Sequence, residues 1–365
     1  MHSIAPSHRT SKTDAYDPFV RGRFPVGVRT IQTLDTARDR VFPCEIWYPA
    51  AAQYAGQDLA TGTQDSFTVP AAPPWRPRDT QRSQTAVRDA AAHPGKYPLI
   101  LFSHHSGGHR RAATFLHAHM SSHGYVVAAL DHSEVVAAEL KGRDGETAEQ
   151  LTARAEAWIA NRVPDVRFLL DRMVDGAEAN VDPTQIGIVG HSFGGWTALA
   201  APDVEARIGA VVALAPAGSS NPRPGIIRAK LAFSWGRDVP TLYLVAENDV
   251  PLPLEGMHEL FQRTPATKQM MILRRADHMH FLDNVEAEHE NGRKMLLERK
   301  ELARMGEEMR PITELCSGEQ AHLFVRGLTL CHMDAVLRNQ KEAQRFLAGD
   351  MEAELARRGV EAAAS

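Results

Sequence analysis

The stretch Ile186-Gly187-Ile188-Val189-Gly190-His191-Ser192-Phe193-Gly194-Gly195-Trp196 constrains this chain more than any other. A short β-branched run leads into Gly-x-Ser-x-Gly, and Thr197-Ala198-Leu199-Ala200 continues as a helix former. A strand that turns straight into a helix leaves no room for side chains on either side of the turn, so glycines flank the serine. The serine is held in a strained conformation, with its hydroxyl pointing away from the sheet. This order reads as a nucleophile elbow, which demands a sheet beneath it and a helix behind it. The bland alternative is a glycine-rich turn that happens to contain serine, and the flanking strand and helix weigh against it.

The rest of the chain supplies such a sheet. Residues 26–31 and 41–49 read as two strands joined into a hairpin by the polar turn 35–39. Continuous apolar strands follow at 97–102, 125–130, 186–189, 209–214, 241–246 and 270–273. Helical stretches lie between them at 111–122 and 146–173, the latter with Pro164 as a candidate break. Unbroken apolar strands separated by helices imply a parallel sheet covered on both faces. Residues 50–95 hold many Gly, Pro, Gln and Thr and read as a long irregular insertion, not a strand. Pro74-Trp75-Arg76-Pro77 within it matches PxxP but reads as an ordinary loop. Residues 1–23 read as loose, and no internal repeat is visible.

Composition excludes several classes. The chain has 365 residues, of which 43% are hydrophobic, enough for a sizeable core. Its net charge of −4, with Lys and Arg scattered, favours neither nucleic acid nor an anionic membrane. Three cysteines, Cys44, Cys316 and Cys331, argue against a disulfide framework and for a reducing compartment. No apolar run approaches the ~18 residues of a spanning helix, and the first twenty residues contain no apolar signal core. The expected location is cytoplasmic.

In an open parallel sheet, functional groups collect at the carboxyl ends of the strands. After the strand at 241–246 comes Glu247-Asn248-Asp249-Val250-Pro251, where a carboxylate could orient a histidine. Asp249 is preferred and Glu247 is the fallback. After the last strand comes Asp277-His278-Met279-His280-Phe281, where His278 is preferred over His280 and Asp277 shapes the loop. The order Ser192, Asp249, His278 is that of an α/β-hydrolase triad. Serine's hydroxyl is a poor nucleophile until a neutral imidazole takes its proton, and the carboxylate fixes the imidazole's tautomer. An acyl intermediate also needs an oxyanion hole. The backbone N–H of Phe193 is one expected donor. The N–H of Ser106, with His105 behind it, is the other, from the loop Ser103-His104-His105-Ser106-Gly107-Gly108.

At these residues the chain resembles α/β-hydrolases of the platelet-activating-factor acetylhydrolase-like group, which also contains bacterial proteins described as predicted dienelactone hydrolases. The matching stretches are Trp47-Tyr48-Pro49, Phe102-Ser103-His104-His105-Ser106-Gly107, the elbow with Phe193, and His278-x-x-Phe281. The similarity spans roughly residues 24–283 and a closing helix around 327–347. It implies an α/β-hydrolase fold, mainly parallel, of about eight strands with helices on both faces. It also implies Ser192, Asp249 and His278 as the triad, and Ser106 and Phe193 as the oxyanion donors. Two departures stand out. The usual His-Gly of the oxyanion loop is His104-His105 here, and serine replaces the elbow cysteine of true dienelactone hydrolases, so dienelactone chemistry is not implied.

The expected protein is therefore a serine esterase acting on a small-molecule ester without a cofactor or metal. It consists of one domain over 24–365 with a helical extension at 285–365. A thioesterase, peptidase or acyltransferase could use the same triad, and a binding protein could reuse the fold. Seven histidines fall between His104 and His132, but no H-E-x-x-H or suitably spaced carboxylate pair accompanies them, which favours a histidine-rich face over a metal site. Within the charged segment 285–311, Leu302, Met305 and Met309 recur at helical spacing, giving a stripe that packs either beside the site, walling an acyl or alcohol pocket, or on the flank of the domain.

Overall fold

The computed structural model describes residues 16–71, 78–143, 145–176 and 180–365. The Pro74–Pro77 match lies outside them. Twelve strands are present among the described residues: β1 (Val26–Asp35), β2 (Arg40–Pro49), β3 (Asp65–Val69), β4 (Thr80–Gln84), β5 (Val87–Arg88), β6 (Tyr97–Ser103), β7 (Val126–Leu130), β8 (Val181–His191), β9 (Ile208–Leu214), β10 (Thr241–Ala246), β11 (Lys268–Leu273) and β12 (Ala362–Ala364). Ten of them form one sheet in the order β12-β11-β10-β9-β8-β6-β7-β2-β1-β5. The six central strands run parallel, while the β1–β2 hairpin and β12 join antiparallel. This is the α/β-hydrolase fold, with ten strands where about eight were expected. The two extra strands, β5 and β12, are edge strands of two and three residues, too short to leave an apolar run in the sequence.

Helices cover both faces: α1 (Thr114–Ser122), α2 (Ser133–Val136), α3 (Ala148–Asp175), α4 (Phe193–Ala200), α5 (Leu254–Arg263), α6 (Val285–Glu298), α7 (Ala303–Glu308) and α8 (Gly318–Val336). Side chains alternate across a strand, so each central strand feeds two cores. Ile100, Phe102 and Val189 join Leu116 of α1 and Phe324 and Leu328 of α8 on one side. Leu99, Leu101 and Ile188 join Leu169 of α3, Leu199 of α4 and Leu260 of α5 on the other. Because both faces are buried, the strands read as continuous apolar runs.

Three expectations change here. Helix α3 runs through Pro164 without a break. Pro164 is exposed, so the carbonyl it leaves without an intrahelical partner faces water. The insertion at 50–95 is not wholly irregular, since β3 and β4 pair antiparallel from Asp65↔Gln84 to Val69↔Thr80. Residues 16–23 are not loose. Phe19 is buried so closely against Gly327 that a β-carbon there would sit 2.2 Å from its ring. Arg358 lies over the same ring at 4.3 Å, and Tyr16 donates a hydrogen bond to Asp334 (3.1 Å).

The strand registers level the carboxyl ends. Ser103 lies beside Gly190, His191 beside Leu214, and Ala246 beside Leu273. The loops after β6, β8, β10 and β11 therefore open onto one edge.

Candidate active site

Strand β8 passes into α4 at Ser192, whose φ of 59° and ψ of −117° place it in a sparsely populated backbone region. The turn tolerates no side chain at its flanks. A β-carbon on Gly190 would lie 2.0 Å from the Gly194 carbonyl oxygen, and one on Gly194 would lie 1.9 Å from that of Ser103. The strain is held by neighbours. The Ser192 N–H donates to Leu214 (2.9 Å), and its carbonyl accepts from Trp196 (3.0 Å) and Ala217 (2.9 Å).

The structure brings Ser192, His278 and Asp249 together. His278 Nδ1 is 2.7 Å from Asp249 Oδ2, and its Nε2 is 2.9 Å from Ser192 Oγ. A carboxylate can only accept, so Nδ1 carries the proton and Nε2 is free to accept from the serine hydroxyl. Asp249 is held in turn by the N–H of Leu252 (2.7 Å). Burial pushes the His278 imidazolium down, but the charges of Asp249 and Asp277 outweigh it, and the net shift is upward. Asp277 accepts the His278 N–H, and its other carboxyl oxygen has no partner. Burial and the nearby Asp249 charge push its carboxyl up to about 7.

The fallback residues sit elsewhere. Glu247 turns to Arg274 (2.8 Å) and to the Arg275 N–H (2.9 Å). His280 anchors the loop, accepting the Asp277 N–H at Nδ1 (3.0 Å) and donating from Nε2 to the Cys316 carbonyl (3.1 Å). Burial holds it down at about 4.

The loop after β6 turns tightly, with the Gly108 N–H donating to the His105 carbonyl (3.0 Å) and Gly107 at φ 63°. Ser106 is exposed at the corner of this turn. The stretch Ser103-His104 lies directly against Gly194, so the turn and the elbow share one wall. The other histidines of this region are engaged as structure. His117 packs its ring against Trp47 (4.3 Å) and Phe102 (4.5 Å). His119 and His123 bond the carbonyls of Pro18 and Val20 (both 2.9 Å). Among the described residues, no group of three His, Cys, Asp or Glu could hold a metal ion.

Sequence reasoning missed three neighbours of the site. His191 donates to the His278 carbonyl (3.0 Å). Arg162 and Glu134, both buried, form an ion pair behind the turn. A signal for Arg162 was present: it shares the buried face of α3 with Asp165, Val166 and Leu169, at helical spacing.

The sheet order, the elbow and the hydrogen-bonded serine, histidine and aspartate define the class by architecture: the chain has the α/β-hydrolase fold. A family model described as Chlorophyllase matches residues 78–224. The platelet-activating factor acetylhydrolase of Gallus gallus is 27% identical over 216 residues, covering 45% of this chain and 51% of that protein. That of Canis lupus familiaris is 30% identical over 154 residues, covering 33% and 35%. The chain thus spans between about a third and a half of the length of these curated relatives. A solved structure, a ferulic acid esterase from Streptomyces cinnamoneus, superposes with a TM-score of 0.58 over 87% of this chain and 92% of that one, at 24% identity. This last likeness is one of fold. Among the described residues, no helix is long and apolar enough to cross a membrane.

Proposed function

We propose that this protein hydrolyses carboxylic esters of small molecules through an acyl-enzyme on Ser192. The observation that carries the reading is the unbroken chain from Ser192 Oγ through His278 to Asp249, with spans of 2.9 and 2.7 Å. In this reading Ser192 Oγ attacks the ester carbonyl while its proton passes to His278 Nε2. Asp249 holds the ring in the tautomer that can accept it and stabilises the imidazolium. The backbone N–H groups of Phe193 and Ser106 receive the oxyanion, each worth roughly 3–4 kcal/mol in the barrier. His278 returns the proton to the leaving alcohol, then deprotonates the water that releases the acid. The relatives named as acetylhydrolases support an ester-cleaving role. The three cysteines, all free and buried, favour a reducing, cytoplasmic setting. A single domain over 24–365 would carry all of this.

Turnover of p-nitrophenyl esters of increasing acyl length, together with fluorophosphonate labelling, tests the reading. Wild-type protein should turn over at least one ester and label at Ser192, and Ser192→Ala should do neither while keeping its fold. Turnover that survives in a folded Ser192→Ala protein would rule the mechanism out.

A further inference from the structure

Arg162 is fully buried, and its guanidinium reaches both halves of the oxyanion site. Nη1 donates to the His104 carbonyl (2.6 Å) and Nη2 to the His105 carbonyl (3.1 Å). Its carbon lies 4.4 Å over the ring of Phe193, the residue after the nucleophile. Nη2 also pairs with the buried carboxylate of Glu134. A trans peptide carries its C=O and its N–H on opposite sides. A fork that draws the carbonyls of 104 and 105 to one side therefore turns the N–H groups of His105 and Ser106 to the other. The planar guanidinium suits this task, because it spaces two parallel donors that an ammonium cannot hold.

A second set of bonds fixes the His105 carbonyl and the His104 ring. The His132 N–H donates to His104 Nε2 (3.0 Å), so His104 carries its proton on Nδ1 and donates it to the His105 carbonyl (2.7 Å). Ser103 Oγ lies 2.8 Å from His132 Nε2, and His132 Nδ1 lies 3.1 Å from Asp165. All three are buried, so substrate cannot reach them. They form a backing for the turn.

We propose that Arg162, braced by Glu134, is the positioning residue that aims the oxyanion donors of this esterase. The role rests on the reading of Ser192 as nucleophile. It also gives the His104 ring a purpose, since that ring and the fork converge on the His105 carbonyl.

Arg162→Lys keeps the charge and loses the fork. The double variant Arg162→Met with Glu134→Gln removes both charges together, so no lone ion is left buried. Active sites are counted by fluorophosphonate titration, and folding is checked by circular dichroism and melting temperature. Per active site, kcat for p-nitrophenyl esters should fall about tenfold in the lysine variant and about a hundredfold or more in the double variant. KM should stay within about threefold, and the pH limb of His278 should not move. Affinity for a trifluoromethyl ketone, whose adduct mimics the tetrahedral intermediate, should fall in step with kcat. A folded double variant with wild-type kcat, or one that loses only KM, overturns the clamp. Wild-type protein lacking Ser192-dependent turnover overturns the esterase reading itself, and the clamp with it.

Discussion

Among the described residues stand two Ser–His–Asp chains of almost the same dimensions. Ser192–His278–Asp249 spans 2.9 and 2.7 Å, and Ser103–His132–Asp165 spans 2.8 and 3.1 Å. Residue types and distances do not separate them, but their surroundings do. Ser192 sits on a strained turn and is partly exposed, whereas Ser103 ends a strand and is sealed. Around His278 the carboxylates of Asp249 and Asp277 outweigh burial and raise it. Around His132, burial and the Arg162 charge outweigh Asp165 and lower it. On the proposed function, only the first has a serine lifted by backbone strain toward substrate and an imidazole able to hold the proton it would take.

The largest test of that contrast compares two alanines. Ser192→Ala should cut ester turnover by about a thousandfold or more. Ser103→Ala, which touches only the backing of the turn, should cost a few-fold in kcat. Equal losses in stopped-flow and steady-state rates would erase the distinction drawn here.

The next effect is in the pH profile. His278 must be neutral to take the serine proton, so activity rises with pH as it deprotonates. Its upward shift should place that limb in kcat/KM above ~6.5. Asp249→Asn should lower kcat by about a thousandfold or more and move the limb downward. Ser103→Ala should leave the limb where it is. A limb below ~6 in the wild type would contradict the electrostatics assigned to the site.

Stability should respond oppositely through two aspartates. Asp277 titrates at about 7 in the fold against ~3.9 when unfolded. Its contribution is fully present below ~4 and is lost as pH rises through 7. Asp165 is lowered: burial alone would raise it, but the bonds from His132 and Ser133 prevail. Its contribution is present above ~4 and lost as pH falls below that value. Asp277→Asn should therefore shrink the drop in melting temperature between pH 5 and pH 8. An unchanged drop would mean that Asp277 ionises freely.

The smallest effect concerns substrate choice. Leu296, Met305 and Met309 cluster with Val250, next to Asp249, and Arg223 ties Glu308 (2.7 Å) to the Val250 carbonyl (3.1 Å). If this wall shapes an acyl pocket, Leu302→Ala with Met305→Ala should shift preference along the ester panel by a few-fold. Uniform loss across the panel would make it a flank of the domain only.

What could be read from the sequence was local. The elbow, the central strands and the residues after them carry their own signatures, because a β-branched run and its flanking glycines report their geometry without partners. Asp249 and His278 followed from position at strand ends. The hairpin β3–β4 went unread although Asp65, Phe67 and Val69 are buried in alternation with exposed Ser66 and Thr68, because surrounding Gly and Pro masked the period. The helical spacing of Leu302, Met305 and Met309 is met by α7, which Leu302 and Met309 cap at either end. Arg162 left only a periodic trace, its place on the buried face of α3; its role stayed hidden because its partners are carbonyls of a loop far along the chain, and a carbonyl belongs to every residue alike.

Phe19 sets the order in which this protein can be finished. It lies near the beginning of the described chain, yet its seat is Gly327 and its cover is Arg358. A ribosome working at ~5–20 residues per second takes on the order of tens of seconds to deliver that seat. Until then Phe19 waits in solvent while the β1–β2 hairpin, only a few residues on, can already close. The docking of Phe19 must thus follow the synthesis of α8, and a nascent protein stalled before α8 holds its serine elbow but not this fastening.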